Sequence, residues 1–411
     1  MADRGSIWYI HPYAGGPGIG RYDRAFHLAR CFEKQGNRCV IICPSWHHLM
    51  DAPQSGGSKE VEGIRLEFLP TPRYSGNGAG RIINMLWFSF QLIASAGRIA
   101  RHHSPPSLVI ASSPHPYAWL AAKFIAWRFG ARCFFEVRDL WPLSLIELAG
   151  VSPRHPLVKI TAWIEKNAYR TADEVVSLLP CTRDYMASLG LPPARWNYIP
   201  NGISPYDTPP RDLDIQSLQQ VRQWRSEGCV IVVYAGALGL PNNVQSLLSA
   251  LQRLPPGTAQ IRTVIVGRGD AMGELKRLSA SDPLDGKVLV HDQIAKSDVR
   301  SLLGMADIGY ISLRPEPLFR FGVSPNKLFD YMLAAIPVVA AVKAGNDPVS
   351  EAGCGRSVDP DDPEAIAAAI RWLADLPASE RLALGENGHR YVLASHSYQQ
   401  LAQRYLQLAG L

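Results

Sequence analysis

Short apolar runs alternate with helix-length segments along most of the 411-residue chain. The first half contains "SIWYI", "RCVIIC", "SLVIASS" and "RCFFEV", and the second half contains "CVIVVYAG", "IRTVIVG" and "PVVAA". Apolar strands separated by helices are typical of parallel sheets with helices on both faces. A Pro-, Asn-, Gly- and Asp-rich segment, residues 199–212, separates the two series and is predicted to be a linker. The pattern therefore predicts an α/β fold with two domains.

Each series predicts one doubly wound, Rossmann-like domain. We place the N-terminal domain at residues 1–203 and the C-terminal domain at residues 204–390. A helix at about 391–411 is expected to pack back on the N-terminal domain. Open parallel sheets bind ligands beyond the carboxyl ends of their strands, so we expect the two domains to face each other across a cleft.

Composition and charge narrow the class of partner. The chain is 47% hydrophobic with a net charge of +6, which favours anionic substrates or anionic lipid, and no nucleic-acid-binding signature is present. Seven cysteines without a CxxC pattern indicate free thiols of a reducing compartment. No metal-binding motif is found, and the start "MADRGSIWYI" lacks a signal-peptide core. We expect a cytoplasmic location and no metal.

Three glycine-rich turns lie between a predicted strand and a predicted helix. "YIHPYAGGPGIGRYDRAF" contains Gly16 and Gly18, "VYAGALGLPNNV" contains Gly236, and "VIVGRGD" contains Gly267. Glycines let the backbone approach a ligand, and the following helix offers N–H groups to an anion. The first spacing is not the GxGxxG of dinucleotide sites. Each stretch also has the alternative interpretation of an ordinary turn.

The stretch "FGVSPNKLFDYM" places a lysine at the start of a predicted helix. Ser324 can cap the helix and Pro325 fits its first position, so Lys327 lies in the first turn. A cation there opposes the helix dipole unless an anion such as a diphosphate binds beside it. Asp330, one turn further along, suits sugar hydroxyls. The alternative is an exposed Lys–Asp pair three residues apart.

Polar residues also follow strands of the first series. "FFEVRDLWP" carries Glu136, Arg138 and Asp139 at a strand end, where they either face the cleft or form an Arg–carboxylate pair in its wall. His115, in "ASSPHPYAW", either lines the cleft or is a loop histidine without a defined role. We interpret four further histidines as surface residues: His47, His48, His102 and His103.

Taken together, these motifs make the chain resemble a GT-B glycosyltransferase of family GT4, the retaining nucleotide-sugar group. The resemblance covers nearly the whole chain and rests on "GGPGIGR", "EVRDLWP", "IEKNAYRTADEVVSLLP", "YIPNGIS", "VGRGD" and "GVSPNKLFDYMLAAIPVVAA". The last of these, joined with "EVRDLWP", is similar to the branch that builds bacterial surface polysaccharides, including aminodeoxysugar transferases of O-antigen and capsule assembly.

The resemblance implies roles for residues that bind the donor. Gly16 and Gly18 would lie near its phosphates and the transferred sugar, and Gly267 and Asp270 near its nucleoside. Asp330 matches the second glutamate of the family's E-x7-E motif, which binds the ribose. The expected donor set is completed by residues of the second domain: Gly236, Ser324, Asn326 and Lys327.

The catalytic residues expected from the resemblance are Lys327, Arg138 and Asp139. Arg138 and Asp139 match a region that holds a cleft-wall residue close to the reacting sugar. The chain departs from the family pattern because Gly322 stands where the first motif glutamate belongs, and because "GALGLPNN" lacks the usual arginine and lysine. We therefore expect Lys327 to be the main group that neutralises the phosphates.

The implied reaction is transfer of a hexosyl or N-acetylhexosaminyl group from a nucleotide-sugar, a UDP-sugar in preference to a GDP-sugar, without a cofactor or a required metal. The implied acceptor is a polyprenyl-diphosphate-linked saccharide of O-antigen or exopolysaccharide synthesis. Two alternatives stay open: another enzyme of this fold, such as a nucleotide-sugar epimerase or a sugar phosphorylase, and a non-catalytic subunit that binds nucleotide or lipid.

Such an acceptor requires docking on the inner face of the cytoplasmic membrane as a peripheral protein. The segment from Arg81 to His103 fits this task, because it carries aromatics, among them Trp87 and Phe88, and a basic tail with Arg98 and Arg101. His115 would lie towards the acceptor. The uncharged stretch has sixteen residues, and spanning takes about 20. The alternative is an ordinary buried helix of the first domain.

Overall fold

The computed structural model describes residues 6–20, 22–76, 78–204, 219–255 and 260–411. The chain divides into two compact units, here called unit 1 (Met1–Gly202 with Tyr398–Leu411) and unit 2 (Ile203–Ser397). Each unit contains one largely parallel sheet with helices on its faces, so the predicted α/β fold with two Rossmann-like sheets is confirmed. Residues 205–212 of the predicted linker lie outside the described residues.

The strands of unit 1 form one sheet with the order β3-β4-β2-β1-β5-β6-β7-β8, in which β3 alone of the described strands runs antiparallel to its neighbour. The strands of unit 2 have the order β11-β10-β9-β12-β13-β14. The strand bounds are β1 Ser6–Ile10, β2 Cys39–Pro44, β3 Gly57–Val61, β4 Ile64–Leu69, β5 Pro106–Ser113, β6 Arg132–Val137, β7 Glu174–Ser177, β8 Trp196–Tyr198, β9 Val230–Ala235, β10 Ile261–Gly267, β11 Val288–Asp292, β12 Ile308–Ser312, β13 Val338–Ala341 and β14 Gly355–Val358.

The helices follow the strands in the alternation that the sequence predicts. Their bounds are α1 Arg24–Lys34, α2 Ala79–His103, α3 Trp119–Phe129, α4 Pro156–Thr171, α5 Arg183–Ser188, α6 Gln219–Ser226, α7 Gln245–Leu251, α8 Met272–Ser279, α9 Lys296–Leu303, α10 Asn326–Leu333, α11 Pro348–Ala352, α12 Pro363–Asp375, α13 Ala378–His396 and α14 Tyr398–Ala409.

The sheet of unit 1 is covered on both faces. Because crossovers between parallel strands are right-handed, the change of direction at β1 places α1 on one face and α2, α3 and α4 on the other. Helix α14 packs on α1 in the core that contains Phe32 and Tyr405. The returning segment begins at Tyr398 and not near residue 391, because the extended backbone of Ser397 ends α13, which belongs to unit 2.

The sheet of unit 2 has the strand order of a Rossmann fold, with β9 and β12 at its centre. Strand β9 is buried on both faces, because Ile231, Val233 and Ala235 point into one core and Val232 and Tyr234 into the other. This two-sided burial explains why the strands of unit 2 are apolar at successive positions. None of the seven cysteines, all of which lie in the described residues, forms a disulfide bond, and Cys181 is exposed.

Candidate active site

Strand order reverses in unit 2 between β9 and β12, so the crevice beyond their carboxyl ends is the expected ligand position. Several hydrogen bonds hold the loop that follows β9 in this position. Ser312 Oγ, at the end of β12, donates to the carbonyl oxygen of Asn242 at 2.6 Å. The Gly236 N–H donates to the carbonyl oxygen of Val266 at 2.9 Å. This loop and the start of α10 therefore form the rim of the crevice.

Helix α10 begins at Asn326, and its start differs from the prediction. Pro325 has an extended backbone (φ −79°, ψ 121°) and occupies the N-cap, with no side-chain hydrogen bond capping the helix. Ser324 therefore lies outside the helix and is not its cap. The helix is fixed to β9 instead, because the Ala235 N–H donates to Tyr331 Oη at 2.9 Å.

Lys327 places a positive charge in this crevice. Its Nζ donates to Tyr234 Oη at 2.8 Å and to Asn242 Oδ1 at 2.6 Å, and it stands 4.6 Å from the centroid of the Tyr234 ring. Among the described residues, no carboxylate forms an ion pair with it, so the predicted alternative of a Lys–Asp pair with Asp330 is wrong. Burial lowers the pKa of Lys327 to about 8. The crevice therefore holds a cation without a counter-charge in the described chain.

Gly267, the last residue of β10, and Gly269, in the loop that follows it, are required by packing within the protein. A Cβ on Gly267 would lie 1.8 Å from the carbonyl oxygen of Gly236, and one on Gly269 would lie 2.3 Å from that of Leu238. The Leu238 N–H donates to the carbonyl oxygen of Arg268 at 2.9 Å. Close packing of the two loops therefore requires these glycines, whether or not a nucleoside approaches them.

Two other predicted donor residues are accessible on unit 2. Asp270, which lies just before α8, is exposed, and so is Asn326 at the start of α10. Their polar groups are therefore available to a ligand.

Gly322 has a backbone that explains the missing glutamate. Its φ of 95° and ψ of 169° lie in a region that only glycine adopts without strain. Asn346 holds the next residue on both sides, because its Oδ1 accepts from the Val323 N–H at 2.8 Å and its Nδ2 donates to the Val323 carbonyl oxygen at 3.0 Å. A carboxylate at position 322 would need a different loop, so the sugar contacts of this chain must come from other residues.

In unit 1 the corresponding change of direction lies between β1 and β5. His11 follows β1, His115 follows β5 and Arg138 follows β6, so the three side chains meet at one edge of the sheet. Tyr13 lies among them, with its ring centroid 5.5 Å from those of both His47 and His115. We call these five residues the unit 1 polar cluster.

The histidines of this cluster are neutral, and two of them, His11 and His115, have unused hydrogen-bonding capacity. His11 Nδ1 accepts from the Tyr13 N–H at 3.0 Å, so its Nε2 carries the proton. Within the described residues, neither His11 Nε2 nor either ring nitrogen of His115 has a partner, and all three are buried. Burial, followed by the charge of Arg81, lowers the pKa of His115 to about 3, and burial, followed by Arg138, holds the pKa of His11 well below its usual value. Such groups suit an uncharged polar ligand.

Two of the four histidines interpreted as surface residues are buried. His47 is fully buried, and its Nε2 donates to the carbonyl oxygen of Ala14 at 2.9 Å. Burial lowers its pKa to about 4. His103 is buried against Glu67. The sequence analysis missed His47, although its position soon after β2, which neighbours β1, could have placed it in the cluster. Among the described residues, no group of three or more His, Cys, Asp and Glu side chains is arranged to hold a metal ion.

Arg138 belongs to the cluster and is not the main partner of Glu136. Its Nη2 donates to Asn201 Oδ1 at 3.3 Å, and its guanidinium lies 4.2 Å from the Tyr22 ring centroid. Its Nη1 is 3.9 Å from Glu136 Oε1 and has no hydrogen-bond partner in the described chain. Glu136 instead binds Arg24 at 3.2 Å within the domain core. The neighbouring predicted residue, Asp139, is exposed.

The glycine loop after β1 closes on itself. The Gly16 N–H donates to the carbonyl oxygen of Gly20 at 3.3 Å, so it is already used within the loop. Gly16 is buried, and a Cβ there would lie 3.1 Å from the Phe26 ring. Gly18 is exposed with a φ of 68°, the left-handed region that favours glycine. Gly18 is therefore the more accessible of the two predicted donor glycines.

Helix α2 presents one side to the domain and one to solvent. Phe88 is buried, so its prediction as a membrane contact is wrong: it lies on the side of the helix that packs into unit 1. Trp87 is 45% exposed. Arg98 reaches back to Glu67, with Nη2 2.7 Å from Oε1, and Arg101 is exposed. In the described part of the chain, α2 alone has the length and composition of a membrane-crossing helix, a weak criterion that packed helices also meet.

Comparisons with known proteins agree with this architecture. Residues 18–202 match a family described as "Glycosyl transferase 4-like domain", and residues 229–375 match "Glycosyl transferases group 1". No curated protein sequence matches the chain significantly.

Solved structures with the same fold cover nearly the whole chain. Sucrose-phosphate synthase from Thermosynechococcus elongatus has a TM-score of 0.72 at 18% identity, with 98% of both chains covered. HepE of Anabaena, solved in complex with UDP-glucose, has a TM-score of 0.65 at 16% identity, covering 99% of this chain and 100% of its own. WaaG, described as a glycosyltransferase involved in lipopolysaccharide biosynthesis, has a TM-score of 0.65 at 16% identity and covers 98% and 100%.

Proposed function

The chain is a glycosyltransferase of the GT-B fold with a glycosyl transferase 4-like domain, and on that premise we propose its donor, acceptor and mechanism. The enzyme moves a hexosyl or N-acetylhexosaminyl group, with retention, from a UDP-sugar to a polyprenyl-diphosphate-linked saccharide of bacterial surface polysaccharide synthesis. The observation that carries the proposal is Lys327, a half-buried cation with neutral partners in the crevice of unit 2.

Lys327 and the start of α10 suit a diphosphate. A nucleoside diphosphate supplies the counter-charge that the described residues around Nζ do not. The first N–H groups of α10 have no side-chain cap, and such groups bind phosphate oxygens. Donor binding then also removes the unfavourable arrangement of a cation at the positive end of a helix.

The proposed chemistry follows from the charge that develops on the leaving group. The bond between the sugar's anomeric carbon and the diphosphate oxygen breaks, and Lys327 stabilises the negative charge on that oxygen. An acceptor hydroxyl attacks the same face of the sugar and forms the new glycosidic bond. Its proton passes to the departing diphosphate. We propose no divalent cation, since lysine and helix N–H groups supply the positive charge.

The unit 1 polar cluster suits the saccharide of the acceptor. His11 Nε2 can donate and the His115 ring can both donate and accept, and both side chains are neutral. Tyr13 and its ring neighbours add aromatic surface for the apolar faces of sugars. We also propose that Arg138 and Asp139 contact a substrate, because Arg138 Nη1 is unpartnered within the described chain and Asp139 is exposed.

Support for a UDP-sugar and a surface polysaccharide comes from proteins of similar fold. The HepE structure holds UDP-glucose, and WaaG acts in lipopolysaccharide biosynthesis. Sucrose-phosphate synthase shares the fold as well, so a soluble sugar phosphate is the competing acceptor class. The uncharged character of the His11 and His115 side chains favours a neutral saccharide.

A donor screen followed by transfer assays tests the proposal. Thermal-shift measurements with UDP-, GDP- and dTDP-sugars should give the largest stabilisation with a UDP-sugar, and that donor should label a polyprenyl-diphosphate saccharide. Conversion of the nucleotide-sugar without an acceptor would indicate an epimerase. Binding of UDP without turnover on any lipid-linked saccharide or sugar phosphate would indicate a non-catalytic subunit.

A further inference from the structure

The outward side of three helices in unit 1 concentrates the exposed apolar surface of the chain. Of the fourteen large apolar side chains exposed in the described residues, ten lie on α2, α3 and α4. We call this surface the α2–α4 face, defined by Ile83, Leu86, Trp87, Phe90, Ile93, Leu120, Phe124, Trp127, Ile160 and Trp163. Five of the ten are tryptophan or phenylalanine, and Trp127 is 76% exposed. Surface on this scale marks an interaction site.

These residues belong to one continuous layer. The strands β5, β6 and β7 follow one another across the sheet, so right-handed crossovers place α2, α3 and α4 on the same face. Contacts join α2 to α3 and α3 to α4. On each helix the exposed apolar residues recur at helical spacing, as in Ile83, Leu86, Trp87 and Phe90. The ten side chains therefore lie on the outward side of a single helical layer.

The same helices carry a larger net positive charge than the chain as a whole. They contain eight lysines and arginines and one glutamate, a formal charge of +7, while the whole chain is +6. The glutamate, Glu165, is buried, and burial raises its pKa to about 8. Several of the cations are exposed beside the apolar residues, including Arg101, Arg128, Lys159 and Lys166. The layer is therefore both aromatic and basic, without an exposed acid on its three helices.

This combination decides between possible occupants. A second copy of the chain would bring two equal faces together in a symmetric dimer and would oppose +7 with +7. If α2 spanned a bilayer, the side of the helix that buries Met85, Phe88 and Leu92 would have to leave the core of unit 1. An anionic lipid surface offers a place for the aromatic rings and a counter-charge for the cations.

We propose that the α2–α4 face docks the protein on the surface of an anionic phospholipid bilayer, with the aromatic side chains at the level of the headgroups. The inference extends the proposed function, since docking would bring unit 1 to a lipid-linked acceptor. It rests on the surface of unit 1 and not on the chemistry of Lys327. Arg98 contributes less charge to lipid binding than the other cations of the face, because it already pairs with Glu67.

Sedimentation of the full chain with lipid vesicles tests the proposal. Wild-type protein should bind vesicles of phosphatidylglycerol and phosphatidylethanolamine at least tenfold more tightly than vesicles of phosphatidylcholine. The variant Trp87→Ser/Phe90→Ser/Trp127→Ser should lose about tenfold or more in binding. The matched control Leu240→Ser/Leu382→Ser, which changes exposed apolar residues of unit 2, should bind as the wild type does.

A second variant separates charge from apolar contact. Arg101→Gln/Lys159→Gln/Lys166→Gln should lose the preference for phosphatidylglycerol. UDP binding, measured by calorimetry, should be the same in the aromatic variant and the wild type, which shows that it folds. If wild-type protein binds no UDP, the proposed function fails while the vesicle result stands.

Three outcomes would overturn the docking proposal. They are absence of wild-type binding to anionic vesicles, equal binding by the aromatic variant, and a wild-type dimer in solution that the aromatic variant converts to a monomer.

Discussion

Lys327 Nζ lies 2.8 Å from Tyr234 Oη and 4.6 Å from the centroid of the same ring. The hydroxyl and the ring face stabilise an ammonium group, but neither neutralises it. Burial lowers the pKa of Lys327 to about 8, so near neutral pH the protein without ligand keeps a charge that its surroundings disfavour. A diphosphate beside Nζ would reverse that penalty, and this is the physical basis of the proposed donor site.

Lys327→Met should lower turnover by about two to three orders of magnitude, because a preorganised charge donor to the leaving group is lost. Methionine keeps most of the side chain's apolar stem. The control is Lys343→Met, which changes an exposed lysine of the same unit that pairs with Asp359 at 3.7 Å. Single-turnover transfer assays would measure the effect. Wild-type rates in a folded Lys327→Met protein would remove Lys327 from the mechanism.

UDP affinity should fall as the pH rises above about 8. The free protein releases the Lys327 proton with a pKa of about 8, and a bound diphosphate favours the charged form and so raises this pKa. Binding is therefore fully supported well below pH 8 and weakens as the pH rises through 8, by about tenfold between pH 7 and pH 9. Calorimetry at several pH values would measure this. A Lys327→Met protein should lack the dependence, and a wild-type affinity constant across this range would contradict the assignment.

Gly267→Ala should destabilise unit 2 by several kcal/mol, about 3 or more, because its Cβ would lie 1.8 Å from the Gly236 carbonyl oxygen. Gly273→Ala is the matched control. It lies in α8 with no atom near the added methyl group, and should stabilise by about 0.5–1 kcal/mol. Chemical denaturation would compare the two variants. Equal stability of both would show that the loops after β9 and β10 are not closely packed.

His115→Phe should reduce kcat/KM for the acceptor by about ten- to a hundredfold, because the ring nitrogens that are free within the described chain are lost. Phenylalanine keeps the ring contacts with Tyr13 and Tyr117, so the melting temperature should not fall. His102→Phe, at an exposed position, is the control. An unchanged acceptor kcat/KM would exclude His115 from the acceptor pocket.

The fold was predictable because alternating apolar runs and helices permit few arrangements of a long chain. Most strands of both sheets were recognisable as apolar runs, and Lys327 was recognisable from its conflict with the helix dipole. The edge strands β3, β8 and β14 were not predicted, because they are short and contain few apolar residues. The start of α10 was predicted one residue too early, because Ser324 suits an N-cap and Pro325 suits a first helical position. The segment that returns to unit 1 is shorter than the predicted 391–411, since nothing in the sequence marks the break at Ser397.

The residues that were misassigned depended on tertiary packing. Trp87 and Phe88 are consecutive in a helix that is apolar nearly all round, so the sequence does not show which side faces the domain. His47 lies in a polar stretch, and only the neighbouring strand β1 places it beside Tyr13. The need for glycine at position 267 arises from a loop about 30 residues earlier in the chain. Contacts between distant segments of the chain therefore determine the environment of these residues, and local sequence patterns do not reveal it.

The most direct test of the account is a crystal structure of the protein with UDP. We predict that an oxygen of the diphosphate lies within about 3 Å of Lys327 Nζ, at hydrogen-bonding distance, with the phosphates at the start of α10. A diphosphate bound elsewhere on unit 2, with Lys327 still donating only to Tyr234 and Asn242, would contradict the central claim.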